Sequence, residues 1–204
     1  MPLAFLTPQI AGILEIVATL TFVAYLVLQI LHSRWMWYLY IPSCVCAALN
    51  FFNSATWAFA ALNIYYVTMG FVGMVSWRRD AKKRGDGQEV QTGIILNRLP
   101  RKTALVSLAL VLAGIPLLYW LLGVLDDPNP LLDAVTTSLS IVGTWWLTRS
   151  YIQQWWIWIV ADVFAIWMNV NLGNNWFVLQ FVLCILSSFV GLWNWNRNGR
   201  YAEE

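Results

Sequence analysis

The sequence predicts an all-α membrane protein of seven transmembrane helices, two parallel three-helix repeats joined by a linker helix. Three observations predict it. The 204-residue chain is 60% hydrophobic and only 11% charged, whereas soluble domains sit near roughly 45–50% apolar and about 25% charged. Its Lys and Arg fall on one side of a seven-span arrangement. Its two halves match at a constant offset. A soluble fold of this composition would leave large apolar patches in water.

A span needs about 20 apolar residues, and the chain divides accordingly at about 7–31, 35–53, 57–77, 102–125, 131–150, 153–172 and 175–195. Span 1 stops at His32-Ser33-Arg34, span 2 at Asn53-Ser54, and span 3 at the cluster that begins with Arg78-Arg79. Span 4 ends at Asp126 to Pro130, span 5 at Arg149 to Gln154, span 6 at Gly173-Asn174-Asn175, and span 7 at a short basic tail. Each break carries turn-forming or charged residues suited to a membrane exit. The division is therefore 1–77 for the first repeat, 78–130 for a basic cytoplasmic loop and linker helix, 131–196 for the second repeat, and 197–204 for a cytoplasmic tail. The N-terminus lacks a positive n-region and reads as mature sequence rather than a cleaved signal peptide.

With these spans, loops one, three and five and the C-terminus share a side. All 12 Lys and Arg lie there: Arg34, then Arg78, Arg79, Lys82, Lys83, Arg84, Arg98, Arg101 and Lys102, then Arg149, Arg197 and Arg200. The other side carries Asp126 and Asp127. Positive charge marks the cytoplasmic side, so the N-terminus is expected outside and the C-terminus inside. Because the basic cluster lies between apolar spans, it reads as a topology signal rather than a nucleic-acid site.

The halves repeat. Phe71-Val72-Gly73-x3-Trp77 falls on Phe189-Val190-Gly191-x3-Trp195, an offset of 118 residues. The same offset carries Trp37 to Trp155, Asn53 to Asn171, Glu15 to Asp133 and Thr19 to Thr137. Four crossings separate equivalent helices, so they point the same way, and transporters with such parallel repeats bind substrate near the midplane where the repeats face each other. Span 4, with Gly114, Pro116 and Tyr119 as its few features, suits a connector.

Carboxylates in hydrocarbon cost roughly 2.5–3.5 kcal/mol on insertion scales and default to a functional reading. Asp162 lies deep in span 6, on one helical face with Trp158, Ala165 and Asn169. The plainer alternative is an Asp that bonds a neighbouring helix. Glu15 and Asp133 lie nearer span ends, where end-capping explains them equally well. Span 5 carries the stripe Asp133, Thr137, Ser140 and Thr144; span 7 carries Trp176, Gln180, Cys184, Ser187, Gly191 and Trp195; span 3 carries Asn63, Tyr66, Gly70 and Trp77. Helix packing accounts for the glycines, but the amides of Asn63 and Gln180 need partners in lipid. Of 14 Trp, Trp35, Trp77, Trp155 and Trp195 sit at span ends as interfacial anchors. Trp158 and Trp167 lie deeper. Aromatic faces beside a carboxylate suit a flat cationic ring, although core packing also uses such residues.

Other classes fit poorly. Three Cys inside apolar spans (Cys44, Cys46 and Cys184) and a lone His, His32, provide no disulfide framework and no metal-ligand spacing. No HExxH or GxSxG motif supports an enzyme. Axial haem ligands, an intramembrane Lys for a Schiff base, and a nucleotide-binding loop are likewise missing, so no cofactor is expected. A receptor or structural role stays open beside transport.

The chain resembles the bacterial PnuC family of vitamin transporters, within a 3+1+3 plan like that of the SWEET class. The carrying residues are Tyr66-x6-Gly73-x3-Trp77, Asp133-Ala134-x-Thr136-Thr137-Ser138, Trp155-Trp156-x-Trp158-x3-Asp162 and Gly191-x3-Trp195. The resemblance covers almost the whole chain and implies uptake of nicotinamide riboside across the bacterial inner membrane by facilitated diffusion, with trapping by cytoplasmic phosphorylation. It also implies a homotrimer. Relatives carry thiamine or riboflavin, and thiamine is the second candidate because it too has a flat cationic ring. On this reading Trp158, Trp176 and Tyr66 stack on the ring. Asn63, Asn169 and Gln180 bond its polar groups, Thr137 and Ser140 line the polar stripe, and Asp162 offsets charge.

Overall fold

In a computed structural model, which describes residues 6–53, 57–83, 94–173 and 175–202, the chain forms seven helices and one pair of short strands. The helices are α1 (Pro8–Ile30), α2 (Met36–Asn53), α3 (Trp57–Lys83), α4 (Arg101–Val124), α5 (Pro130–Thr148), α6 (Gln154–Asn171) and α7 (Asn175–Asn198). The strands are β1 (Ile94–Leu96) and β2 (Gly199–Tyr201). The expected fold class, all-α with two three-helix repeats and a linker helix, is what forms. Two compact units divide the chain, residues 1–91 and 92–204, so α4 belongs to the unit that holds the second repeat.

The helix ends show how the sequence stops each span. Four helices terminate through a residue with positive φ: His32 (53°), Asp126 (56°), Ser150 (54°) and Gly173 (71°). After α1, His32 N donates to Gln29 O and Ser33 N donates to Leu28 O, at 3.0 and 2.9 Å. After α5, Ser150 N donates to Leu147 O and Tyr151 N to Trp146 O, at 3.0 and 3.1 Å. This paired pattern satisfies the orphan carbonyls of a helix C-terminus. At the other ends, Pro8 and Pro130 open α1 and α5, where a missing N–H is harmless.

The offset of 118 residues is a structural register. It carries α2 onto α6 from first residue to last, the start of α3 onto the start of α7, and the end of α1 onto the end of α5. His32 and Ser150, with their matching hydrogen bonds, are equivalent residues. So are the packing cores. A Cβ placed on Gly73 would stand 2.7 Å from Trp37 Cε2, and one on Gly191 would stand 2.8 Å from Trp155 Cε2, with outer ring carbons nearer still. Trp37 meets Trp77 edge-on at 5.5 Å and 85°, and Trp155 meets Trp195 at 5.2 Å and 81°. All four indoles are buried. Each repeat thus closes on one indole laid against a bare backbone.

Within the second unit, α4 is tied to α5 by Trp146 Nε1 donating to Ser107 Oγ at 2.9 Å, both side chains being buried. Ser107→Ala leaves the indole N–H without its acceptor and is expected to destabilise by about 1–3 kcal/mol. The thermal midpoint of purified protein in detergent measures this, and an unchanged midpoint rules the bond out as a contributor.

The strands correct one expectation. Residues 78–101 read as a loop and 197–204 as a tail, but α3 continues to Lys83 and α7 to Asn198. Nothing between Arg78 and Lys83 breaks a helix, so it outruns its apolar stretch. Beyond it, β1 pairs in parallel with β2, Ile94 opposite Gly199 and Leu96 opposite Tyr201. Ala202 N donates to Leu96 O at 2.9 Å, and Asn97 bonds the loop between α5 and α6 through Ser150 O and Arg149 O. The segments before α4, between α5 and α6, and after α7 therefore meet at one end of this unit. That requires an even number of crossings between them, as the one-sided Lys and Arg do. The turn at Ser54 and Arg84 of the basic cluster lie outside the described residues.

By length and hydropathy, four described helical stretches are sufficient to cross a membrane: Pro8–Ile30, Phe59–Asp80, Arg101–Val124 and Phe177–Asn198. Helices α2, α5 and α6 are the other three. Among the described residues they have the most buried positions of the seven helices, and polar side chains are among these. The protein is a multi-pass membrane protein.

Candidate functional site

Helix α6 buries a single face, formed by Gln154, Trp155, Ala161, Asp162, Ala165 and Asn169. Asp162 is 6% exposed and Asn169 5% exposed, one above the other at two-turn spacing. The small residues Ala161 and Ala165 on the same face let another helix approach closely. Asn169 Nδ2 donates to Ala165 O at 2.8 Å, which fixes its amide along the helix. Cys184 of α7 lies within electrostatic reach of Asp162, and Gln180, an exposed residue, stands one turn before it. A carboxyl within an apolar span is a costly group that defaults to a functional reading.

Trp158, one turn before Asp162, packs on α5. Gly143 makes this possible, since a Cβ there would stand 3.2 Å from Trp158 Cε2. Trp158 Nε1 is buried with no hydrogen-bond partner among the described residues, a donor that a bound polar group could satisfy. On α5, Thr144 Oγ1 donates to Ser140 O at 2.8 Å, and Thr137 Oγ1 donates to Asp133 Oδ1 at 3.2 Å. Asp133 occupies the first turn of α5, where a carboxylate complements the helix dipole. Its repeat equivalent, Glu15, is exposed. The two acids are equivalent in register and different in surroundings.

In the first repeat, Asn63 Nδ2 donates to Phe59 O at 2.9 Å. The Tyr66 ring lies 6.2 Å from that of Tyr40, which in turn lies 4.8 Å from that of Tyr25. Trp176 lies in α7, but its side chain is outside the described residues. The structure thus groups Thr137 with Asp133 on α5, and Trp158, Asp162 and Asn169 along α6. Asn63 and Tyr66 belong to the other compact unit. Sequence reasoning missed Tyr25 and Tyr40, both buried. The signal was present: the register carries Tyr25 to Gly143 and Tyr40 to Trp158, so both repeats put a large ring at the same place on their second helix. Among the described residues, no three His, Cys, Asp or Glu side chains cluster as metal ligands.

Comparison with known proteins agrees with this architecture. The nicotinamide riboside transporter PnuC of Neisseria mucosa is 28% identical over 142 residues, covering 66% of this chain and 52% of that protein. The chain therefore spans about half the length of the curated relative it matches. A crystal structure of the vitamin B3 transporter PnuC superposes with a TM-score of 0.67 at 23% identity, over 93% of this chain and 88% of that one, and so shares its fold. The profile of the family described as nicotinamide mononucleotide transporter matches residues 12–197. The resemblance to PnuC proteins first read from tryptophan and glycine spacing holds across nearly the whole chain, and the chain belongs to the nicotinamide mononucleotide transporter family.

Proposed function

We propose that this chain takes up nicotinamide riboside across a bacterial inner membrane by facilitated diffusion. It works by alternating access with no coupling ion, and cytoplasmic phosphorylation traps the product. The observation that carries the substrate is the buried Asp162 carboxyl one helical turn from the Trp158 indole, in a family of this description. A flat ring with a fixed positive charge gains from both groups, by stacking and cation–π attraction and by charge offset. Trp158 and Trp176 stack on the ring, Asn169 and Gln180 bond hydroxyl or amide groups, and Thr137 and Ser140 complete the polar stripe. In the first repeat, Tyr66 is the stacking residue and Asn63 the hydrogen-bonding one. No catalytic step is assigned to the chain, and its assembly is a homotrimer.

Titration of purified protein with nicotinamide riboside, thiamine and riboflavin is the direct test. Nicotinamide riboside is expected to bind, thiamine more weakly, and the larger uncharged riboflavin least. Thiamine is the second reading, since its cationic ring meets the same two groups, and tighter thiamine binding would replace the first. Silence from all three at high micromolar concentration removes the vitamin reading and leaves a receptor or structural role. Uptake into vesicles is expected to persist with a proton ionophore present; collapse of uptake would establish proton coupling instead.

The orientation proposed, N-terminus outside and C-terminus cytoplasmic, is supported by the placement of all 12 Lys and Arg. A C-terminal alkaline phosphatase fusion is expected to be inactive and a C-terminal fluorescent protein fusion bright. The reverse pair of results would invert the topology.

A further inference from the structure

The repeats agree in backbone but part company in charge at one place. In the first unit a cavity of about 260 Å³ is lined by Arg34, Trp35, Trp37, Tyr38, Met74 and Arg78. It lies where α2 begins, at Met36, and where the apolar stretch of α3 ends, at Asp80. That is the level of a membrane boundary. Trp35 and Tyr38 are 59% and 43% exposed, with ring centroids 5.3 Å apart. The Arg78 guanidinium donates to the Tyr38 hydroxyl and lies over that ring, 5.9 Å from its centroid. One cation is thereby held against the aromatic wall, and Arg34 stands exposed on the same rim. None of the lining residues is acidic.

The second repeat supplies an internal comparison. At the common register Trp37 and Tyr38 become Trp155 and Trp156, whereas Trp35 becomes Gln153, so the aromatic wall is retained in part. Arg34 and Arg78 become Ile152 and Asn196. The same helix–turn–helix forms without either cation, so its backbone does not require them. Topology alone does not explain them either, because a charge that only marks the cytoplasmic side needs no cavity and no aromatic partner.

We propose that Arg34 and Arg78, walled by Trp35 and Tyr38, bind a phosphate-bearing anion, foremost the headgroup of an anionic phospholipid. Basic pockets between helices on the cytoplasmic side take such headgroups. Guanidinium forks match phosphate oxygens, and Trp and Tyr settle at headgroup depth. The volume fits a headgroup better than a drug-sized ligand, whose pockets start at roughly 300 Å³. The site does not depend on which vitamin is carried.

Full-length protein in detergent, titrated with phosphatidylglycerol, with phosphatidylcholine of the same acyl chains, and with inorganic phosphate, tests this by native mass spectrometry. Phosphatidylglycerol is expected to bind in preference to phosphatidylcholine. The double variant Arg34→Gln/Arg78→Asn is expected to weaken it by about tenfold or more. Arg149→Gln/Arg197→Gln, which removes two charges outside the cavity, is expected to leave binding unchanged, and Arg34→Lys/Arg78→Lys to retain most of it. Phosphate that binds the wild type and not the first double variant, without a lipid preference, supports the same anion site and assigns it a soluble source. Equal binding of the two lipids with no phosphate binding, or equal losses in the two charge-removing variants, overturns the proposal. Should the first double variant fail to fold, Arg34→Gln alone, at an exposed position, carries the same comparison.

Discussion

Gly191→Ala is expected to destabilise the protein by about 3 kcal/mol, the upper end of the usual cost of overpacking. The new methyl group enters the space of the Trp155 ring, 2.8 Å from Cε2. The ring cannot retreat, because Trp155 is 1% exposed and is held edge-on by Trp195, itself 0% exposed. Gly123→Ala is the control, since nothing lies within 4 Å of its Cβ position. Chemical unfolding in detergent measures both. Trp155→Phe is expected to recover part of the Gly191→Ala loss, because a smaller ring vacates the space; this rescue separates a steric cause from a loss of helix flexibility. Equal stability of Gly191→Ala and Gly123→Ala would falsify the account of how each repeat closes. Gly73→Ala, against Trp37, repeats the experiment in the first unit with the same expected sign.

Asp162→Asn is expected to weaken nicotinamide riboside binding by tenfold or more, and this rests on the proposed function. A desolvated cation–carboxylate or cation–π contact contributes about 2 kcal/mol or more, and the amide keeps the shape while losing the charge. Riboflavin binding is expected to change little. Stability should move the other way, since a carboxyl among the buried residues of α6 is costly and an amide less so; the thermal midpoint is expected to hold or rise. A fall in midpoint together with equal losses for both ligands would make Asp162 a structural residue and remove it from the site.

Much of the architecture was legible because membranes simplify the problem. A span announces itself by apolar length, and the residues that end it, such as His32-Ser33-Arg34 and Asp126 to Pro130, differ sharply from what precedes them. The repeat was legible from Trp37, Gly73 and Trp77 against Trp155, Gly191 and Trp195, because a ring packed on bare backbone tolerates few substitutions. The β1–β2 pair was not legible. Its only trace is the apolar run Ile94-Ile95-Leu96 in a polar segment, and its partner Gly199-Arg200-Tyr201 has no strand character. The helical run from Arg78 to Lys83 was hidden for the opposite reason: charge suggests an exit from the membrane but says nothing about where the helix stops. At the candidate site, Asp162 stood out by its chemistry alone. Trp158 on Gly143, and Tyr40 on Tyr25, needed neighbours that only the folded chain supplies.

The parallel strand pair also orders events in time. Ile94 to Leu96 emerge before any of the last four helices, yet their partner arrives only after α7. During synthesis β1 is an unpaired edge, its backbone groups satisfied by water, and a ladder of three residues cannot form until four crossings have been inserted. Closing so long a loop is entropically slow to begin and forms no part of the early folding steps. The pair is therefore a seal set last on the second unit. A chain cut short before Gly199 leaves β1 without its partner strand.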